Sequence, residues 1–429
     1  VKPVINVGIV GFGVVGGGAY KILTQNARLI EMKVGSKICV KRIADIDLER
    51  PRAVDYDRSL MTTNAEELIS DPDIDIIVEL IGGVQPPFDY IMKSLRNGKH
   101  VVTANKELMA KQGHELLMEA ADRKLDLYFE ASVGGGIPII RPLKVCLAGD
   151  AIREIKGIVN GTTNYILTRM SEENRSFEEV LKDAQALGYA EANPTNDVDG
   201  HDAAYKISIL ASIGFNSRVD VSKVYREGIR NVTKEDIAYA NELGYALKLL
   251  AIAKERDGKM EIRVHPAMIP HSHPLVSVSD VYNGIYVTGE PVGNVMFYGR
   301  GAGADAAGSA VVGDIMDIAR NINHNCTGRV GCTCFENKPQ IDMDDVRTRH
   351  YIRMQTHDRP GVLAGIASVF GMNQVSIRTV MQKDTRPDGS AEVIWITHEA
   401  PEPSIKASLD KIQTLKFVSA ISSWIRVEE

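Results

Sequence analysis

The sequence predicts an α/β protein built on a doubly wound parallel sheet, followed by an α+β domain and a small βαββαβ module. Three observations predict this. Strand-type and helix-type stretches alternate from Val4 to Phe129, the alternation breaks down after Gly149, and a fresh pattern starts at Arg349. A chain of 429 residues has room for roughly two to four domains. Its 50 basic and 56 acidic residues leave a net charge of −6, which gives no reason to expect nucleic acid. No apolar run is long enough to span a membrane, so a membrane partner is not expected either.

Residues 1–150 read as a dinucleotide-binding domain. Val4–Val10 (VINVGIV) is a short apolar strand, and Gly11-Phe12-Gly13-Val14-Val15-Gly16 leads from it into a helix. GxGxxG gains its meaning from those two flanks. Gly11 permits the tight turn, Gly13 lets the backbone approach a pyrophosphate, and Gly16 lets the helix pack on the sheet. With Val14 and Val15 they offer the N–H groups of a helix start to phosphates. Strands follow at 38–44, 75–81, His100–Thr103 and 125–129, with helices from Pro87 and Glu107 between the later ones. Ligands of such sheets lie beyond the carboxyl ends of the strands, where Asp45, Asn105-Lys106 and residues 130–136 (EASVGGG) fall. Asp45 is the natural acceptor for adenosine ribose hydroxyls, which favours NAD over NADP. Its spacing from Gly16 is longer than usual, and Lys41, Arg42, Arg50 and Arg52 are alternative partners for a 2′-phosphate.

Residues 151–303 read as an α+β domain with a mostly antiparallel sheet. A strand at 152–159 runs into Asn160-Gly161-Thr162-Thr163-Asn164, whose side chains suit the cap of a helix beginning near Tyr165. Ser176-x-x-Glu179 is a capping box, and Gly188 closes the helix it opens. Strands at 247–254 and 260–268 flank the hairpin signal Asp257-Gly258, and further strand follows at 276–287 and 295–298. Between that helix and those strands, residues 191–206 (EANPTNDVDGHDAAYK) gather four acids and one lysine. Asp199-Gly200 reads as a helix start, which puts Asp202 and Lys206 four apart on one helical face. Taken alone this is a capped helix with one ion pair. It is also the set of groups an amino-acid oxidoreductase needs: carboxylates for an ammonium and a lysine for a proton. The run 299–304 (GRGAGA) then opens a small-residue helix ending near Arg320, which completes the first domain.

The quoted segments, in this order, resemble the homoserine dehydrogenase family of the monofunctional type with a C-terminal ACT domain. VGIVGFGVVG, TANKELMA, EASVGGGIPII, NGTTNYIL, GYAEANPTNDVDGHDAAYKISIL and GRGAGADAAGSAVVGDI carry the resemblance as far as about residue 320. It implies a Rossmann-type first domain and a middle domain for substrate binding and dimerisation. It also implies interconversion of L-aspartate 4-semialdehyde and L-homoserine with NAD(P)H. The position of Lys206 then donates and accepts the proton, with Lys106 reaching the substrate or nicotinamide. Glu191 and Asp202 contact homoserine, Asp197 lies near, and Gly188 and Gly303 line the cofactor. Glu130, Val133, Gly135 and Ile137 match a structural monovalent-cation site, for sodium or potassium. The physics agrees: hydride reaching an aldehyde carbon leaves charge on its oxygen, which needs a cation and a proton. A free lysine titrates near ~10.4, so Lys206 is expected to enter the reduction protonated.

Residues 321–349 read as a polar linker. In 350–429, strands at 351–356, 375–381, 392–398 and 418–426 frame two helices, with a turn at Pro387-Asp388-Gly389. DRPGVLAGIASVF resembles the first turn and helix of an ACT domain, a ferredoxin-like module. That resemblance puts an amino-acid effector at Gly361 and Asn373, with L-threonine the expected inhibitor, and the enzyme in a homodimer or homotetramer. Cys39, Cys146, Cys326, Cys332 and Cys334 are odd in number and scattered, as in reduced cytoplasmic proteins. Cys332-x-Cys334 lacks a second pair for a metal, and His271-x-His273 reads as a polar turn. Two alternatives stand beside this reading. One is another ACT-tailed Rossmann dehydrogenase, acting on a hydroxy acid or prephenate; the other is a catalytically silent amino-acid sensor.

Overall fold

The computed structural model describes residues 1–383, 387 and 389–429, so Asp388 of the expected turn lies outside the described residues. The chain forms two compact units, the first from residues 1–161, 202–222 and 281–338, the second from 162–201, 223–280 and 339–429. No helix among the described residues is long and apolar enough to cross a membrane.

The first unit is organised by a parallel sheet. Its strands are β1 (Val4–Val10), β2 (Lys37–Ala44), β3 (Met61–Thr62), β4 (Ile76–Glu79), β5 (His100–Thr103) and β6 (Leu127–Tyr128), in the order β3-β2-β1-β4-β5-β6. Strands covered on both faces read as nearly continuous apolar runs, which is why VINVGIV and IIVE carry so few polar residues. Helix Ala304–Asn323 returns from far along the chain to pack on this sheet. Val311, Val312, Ile315 and Ile318 join Ile5, Val7, Ile9 and Phe12 in one buried cluster. The same helix crosses helix Val14–Gln25 at Gly18 and Gly308. A Cβ on Gly18 would stand 2.1 Å from the Ala304 carbonyl oxygen, and one on Gly308 would stand 2.7 Å from the Gly18 carbonyl carbon. Beyond this sheet, strands Ala151–Ile158, Tyr282–Glu290 and Gly293–Arg300 form an antiparallel ladder. Residues 276–281, expected as strand, instead begin with the end of a 3₁₀ turn over Pro274–Ser277. Proline at the turn's first position and His273 Nδ1 accepting the Leu275 N–H fix that geometry.

In the second unit, strands Tyr245–Arg256 and Lys259–Pro270 form the hairpin around Asp257-Gly258. Helix Phe177–Ala186 is opened by the capping box of Ser176 and Glu179. Helix Gly161–Glu173 starts earlier than expected, so Thr162, Thr163 and Asn164 lie in its first turn instead of capping it. Thr162 Oγ1 donates to the Tyr189 carbonyl at 2.6 Å, and Asn164 Nδ2 donates to the Asp280 carbonyl at 3.0 Å. Their hydroxyl and amide are spent on tertiary contacts, which a local cap argument does not see. Near the C-terminus, strands Val418–Val427, Arg347–His357, Ser390–Thr397 and Ile377–Gln382 lie side by side in that order, all antiparallel. Helices Val362–Met372 and Glu402–Gln413 pack on this sheet over a core of Ile366, Phe370, Trp395 and Ile405.

The last strand also pairs with the hairpin, through Ala267–Arg426 and Met268–Val427. Charge is buried along this seam. Glu428 takes Arg263 Nη1 at 2.6 Å and Lys254 Nζ at 3.0 Å, and Arg426 pairs with Glu402 and Glu227. Burial alone would raise the Glu428 pKa, yet Arg263 and Lys254 hold it well below the ordinary carboxylate range. A carboxylate with a depressed folded pKa adds stability above its unfolded value of ~4.3, and that stability is lost as pH falls through the folded value.

Two predictions follow from this packing. Gly308→Ala forces the crossing helices apart and should cost about 1–3 kcal/mol, read as a lower denaturant midpoint at unchanged m-value. Glu428→Gln leaves Arg263 and Lys254 buried without their anion and should cost about 3–5 kcal/mol at pH 7. The gap to the parent protein should narrow as pH falls below ~4, measured by thermal unfolding.

Candidate active site

The glycine turn after β1 has the shape a dinucleotide needs. Gly11 has φ +99°, and a Cβ there would press on the Leu80 carbonyl oxygen at 2.8 Å. A Cβ on Gly16 would stand 2.3 Å from the Gly11 carbonyl oxygen, whereas one on Gly13 meets nothing within 4 Å. So Gly11 and Gly16 are needed for internal packing, while Gly13 faces open space. Helix Val14–Gln25 has no side-chain cap, and its first backbone bond runs from the Gly17 N–H to the Gly13 carbonyl. The preceding N–H groups of Val14, Val15 and Gly16 therefore suit a diphosphate. These residues fit the cofactor. Asp45 directly follows β2, where its Oδ2 accepts the Phe12 N–H at 2.7 Å and lies 3.3 Å from Arg52 Nη2. Of the other basic residues, Lys41 is paired with Asp71 and Asp73, and Arg42 donates to the Ser59 carbonyl.

Beyond β4 and β5, three residues hold Lys106. Buried Glu79 accepts the Thr103 hydroxyl at 2.7 Å and the Ile81 N–H at 2.8 Å. Burial raises the Glu79 pKa against the pull of those hydrogen bonds. Thr103 Oγ1 in turn accepts the Asn105 N–H at 3.0 Å. Asn105 caps helix Lys106–Asp122 by accepting the Leu108 N–H, and its Nδ2 donates to the Gly83 carbonyl at 2.7 Å. Lys106 thus sits at the first helical position, where the dipole disfavours a cation. Its compensation is Asp202, whose Oδ1 lies 2.8 Å from Lys106 Nζ.

Asp202 is the centre of the constellation. It occupies the second position of helix His201–Gly214 and is 2 % exposed. Its Oδ2 takes Lys206 Nζ at 2.6 Å, across the expected i,i+4 step, and the Asn160 amide at 2.9 Å. Lys206 Nζ also donates to the Val159 carbonyl at 2.6 Å. Burial pushes the Asp202 pKa up, but the two ammonium groups outweigh it and hold the carboxyl far below its ordinary range. One buried carboxylate therefore fixes two lysine head groups that arrive from helices about a hundred positions apart in sequence.

Glu130 organises the loop after β6. Its carboxylate accepts the N–H groups of Ile139, Ile140 and Arg141 at 2.6–2.8 Å, and its own N–H donates to Asp314. Burial, with the Glu130 charge behind it, pushes Asp314 up to about 8. With its side chain committed, Glu130 has only its main-chain carbonyl, which also accepts the Val133 N–H at 3.4 Å, to offer a cation. Among the described residues, the carbonyls of Val133, Gly135 and Ile137 accept no backbone hydrogen bond. A set of such oxygens suits a hard monovalent ion.

The remaining positions are distributed as follows. Gly303 caps helix Ala304–Asn323 with φ +113°, open on the side a Cβ would occupy. Gly188, Glu191 and Asp197 lie in the second unit, Gly188 and Glu191 exposed and Asp197 in the short helix Thr195–Val198. Asp199 does not cap the next helix; its carboxylate is taken by Arg230 at 2.6 Å. Gly361 caps helix Val362–Met372 with φ +92°, and Asn373 ends it, donating to the Val369 carbonyl at 2.8 Å. Asn160, Glu79 and Thr103 were not anticipated as site residues. Asn160 stands inside NGTTNYIL, so its signal was present but was spent on helix capping. Glu79, an acid ending an apolar strand, was visible too.

Comparison with known proteins agrees with this geometry. The family model described as homoserine dehydrogenase matches residues 138–316. Its NAD-binding domain matches residues 11–130, and the ACT domain matches 350–416. Homoserine dehydrogenase of Bacillus subtilis strain 168 is 42% identical over 425 residues, covering 99% of this chain and 98% of that protein. The enzyme of Synechocystis is 45% identical, covering 99% of each. Among solved structures, a homoserine dehydrogenase from Thiobacillus denitrificans superposes with TM-score 0.93 at 40% identity, over 99% of this chain and 98% of that one. A hyperthermophilic archaeal homoserine dehydrogenase in complex with NADPH superposes with TM-score 0.63 at 27% identity, over 73% of this chain and 97% of that one. With an NAD(P)-binding sheet, a buried lysine–aspartate–lysine cluster and full-length matches of this kind, the chain belongs to the homoserine dehydrogenase family of NAD(P)-dependent oxidoreductases and carries an ACT domain.

Proposed function

We propose that the Lys106–Asp202–Lys206 cluster is the reaction centre at which L-aspartate 4-semialdehyde and L-homoserine are interconverted. The observation that carries this is the buried Asp202 carboxylate gripping both ammonium groups. NAD(P)H, when bound, supplies the hydride. Lys206 supplies the proton to the aldehyde oxygen in reduction and takes it back in oxidation. Val159 and Asp202 fix the position of its Nζ, so the proton is delivered from one place. Lys106 lends a second positive charge to the oxygen as its charge grows. Glu191 is the carboxylate we assign to the substrate ammonium, with Asp197 near it and Asp202 also contacting the substrate. Lys206→Ala should lower kcat by about 10²–10⁴-fold while dinucleotide affinity stays near its starting value. Glu191→Ala should instead raise the amino-acid KM with a smaller effect on kcat, a split that steady-state kinetics reads directly.

The same reading extends to cofactor choice. Asp45 repels a 2′-phosphate, Lys41 and Arg42 are engaged elsewhere, and Arg52 stands against Asp45, all of which support NAD over NADP. The carbonyls of Glu130, Val133, Gly135 and Ile137 would hold sodium or potassium. Adding either ion should raise the melting temperature of salt-free protein, whereas tetramethylammonium at equal ionic strength should not.

L-Threonine is the effector we assign to Gly361 and Asn373, and the working unit we assign is a homodimer or homotetramer in the cytoplasm. The experiment is NADH and NADPH oxidation with L-aspartate 4-semialdehyde, with and without L-threonine, on the intact chain. The intact chain matters, because removing the ACT domain would strip Glu428 from buried Arg263. Faster turnover with NADH and inhibition by threonine are expected; preference for NADPH or indifference to threonine would overturn those two assignments separately.

A further inference from the structure

The linker cysteines stand at a built site that the dehydrogenase reaction does not use. An open cavity of about 840 Å³ lies in the first unit, walled by helices Lys106–Asp122 and His201–Gly214 and by residues 332–337. Cys332 is exposed at its rim and Cys334 is half-buried. Their mutual geometry is close: the Cys334 N–H points at Cys332 Sγ at 3.5 Å, and Cys334 Sγ reaches the Ser212 carbonyl at 3.5 Å. Lys144 lines the same cavity and is anchored to the Gly331 carbonyl at 2.9 Å, immediately before Cys332. Lys111 and Arg218 add basic groups to the lining and Asp220 and Glu336 add acidic ones, and among the described residues His114 Nδ1 is buried with no hydrogen-bond partner. Met109, Leu117 and Val219 give the cavity apolar wall.

We propose that Cys332 and Cys334 form a reversible thiol–disulfide site that exchanges with a small, carboxylate-bearing disulfide drawn into this cavity. The two sulfurs are chemically unequal. The neighbouring Cys334 side chain, the Cys334 N–H at 3.5 Å, Lys144 and His114 hold Cys332 low, against burial, while Cys332 beside it and burial push Cys334 up, its thiol donating to the Ser212 carbonyl. Cys332 is thus the attacking thiolate and Cys334 the resolving thiol. In the first step Cys332 Sγ bonds to one sulfur of RS–SR and the other leaves as RSH after taking a proton. In the second, Cys334 loses its proton to water and attacks Cys332 Sγ, expelling the second RSH. The protein dithiol is oxidised by two electrons and the small disulfide is reduced by two. Lys111, Lys144 and Arg218 outnumber Asp220 and Glu336 in this lining and favour an anionic partner, and the cavity walls belong to the helices that carry Lys106 and Lys206 about two turns away.

The test uses full-length reduced protein, oxidised glutathione as the anionic probe and cystamine as a cationic one. Intact mass and peptide mapping follow the sulfurs, with exposed Cys146 as the internal reference. The parent protein should lose two hydrogens and yield a Cys332–Cys334 peptide. Cys334→Ser should instead trap glutathione on Cys332, at pH 6.5 about tenfold faster than on Cys146, and Cys332→Ser should leave Cys334 a thiol. Glutathione should outpace cystamine at Cys332. The proposal is overturned if Cys332 reacts no faster than Cys146, if a mixed disulfide persists in the parent protein, or if cystamine reacts as fast as glutathione.

Discussion

A carboxylate buried to 2 % exposure survives as an anion only if cations or hydrogen-bond donors meet it, and Asp202 is met by two ammonium groups and an amide. That requirement governs the geometry around it. Helix His201–Gly214 must present Asp202 and Lys206 one turn apart, and helix Lys106–Asp122 must begin where Lys106 Nζ can reach the same carboxylate. Asn160 and the Val159 carbonyl, at the end of a strand, supply the remaining hydrogen bonds. Removing any one partner would leave charge or a polar atom unsatisfied in a low-dielectric place, so the parts hold one another in position.

The supports of this cluster are built from backbone more than from side-chain bulk. Glu79, Thr103 and Asn105 form a relay that fixes the first residue of the Lys106 helix. Glu130 does a similar job for its loop by collecting three N–H groups, leaving the neighbouring carbonyls turned to other uses. The crossing at Gly18 and Gly308 brings helix Ala304–Asn323 close enough to seal the sheet from which these loops emerge. The second unit solves a different problem. Its seam between the hairpin and the final strand is stitched by Arg263, Glu428, Arg426 and Glu402, all nearly excluded from water. Such a seam is intolerant of losing one partner, and it ties the ACT sheet to the hairpin beside it.

Much of this was legible in the sequence because it is local. The glycine spacing after an apolar strand, the Ser176–Glu179 box, the Asp257-Gly258 hairpin and the Asp202–Lys206 step each depend on residues within a few positions of one another. What was missed depends on contacts that sequence distance hides. Thr162 and Asn164 look like caps until Tyr189 and Asp280 arrive to claim them, and Asp199 looks like a cap until Arg230 does. Asn160 looks like a capping side chain too, because its partner Asp202 lies 42 positions away. The start of the 276–287 strand failed for a local reason instead: Pro274 sets a 3₁₀ turn ahead of it.

The central claim is that Asp202 sets the protonation and position of both lysines. The most direct measurement is the pH dependence of kcat/KM for Asp202→Asn beside the parent enzyme. The amide keeps the shape and removes the charge that favours both ammonium groups, so the alkaline limb should move to lower pH as activity falls. An alkaline limb at the same pH in both proteins would contradict the account.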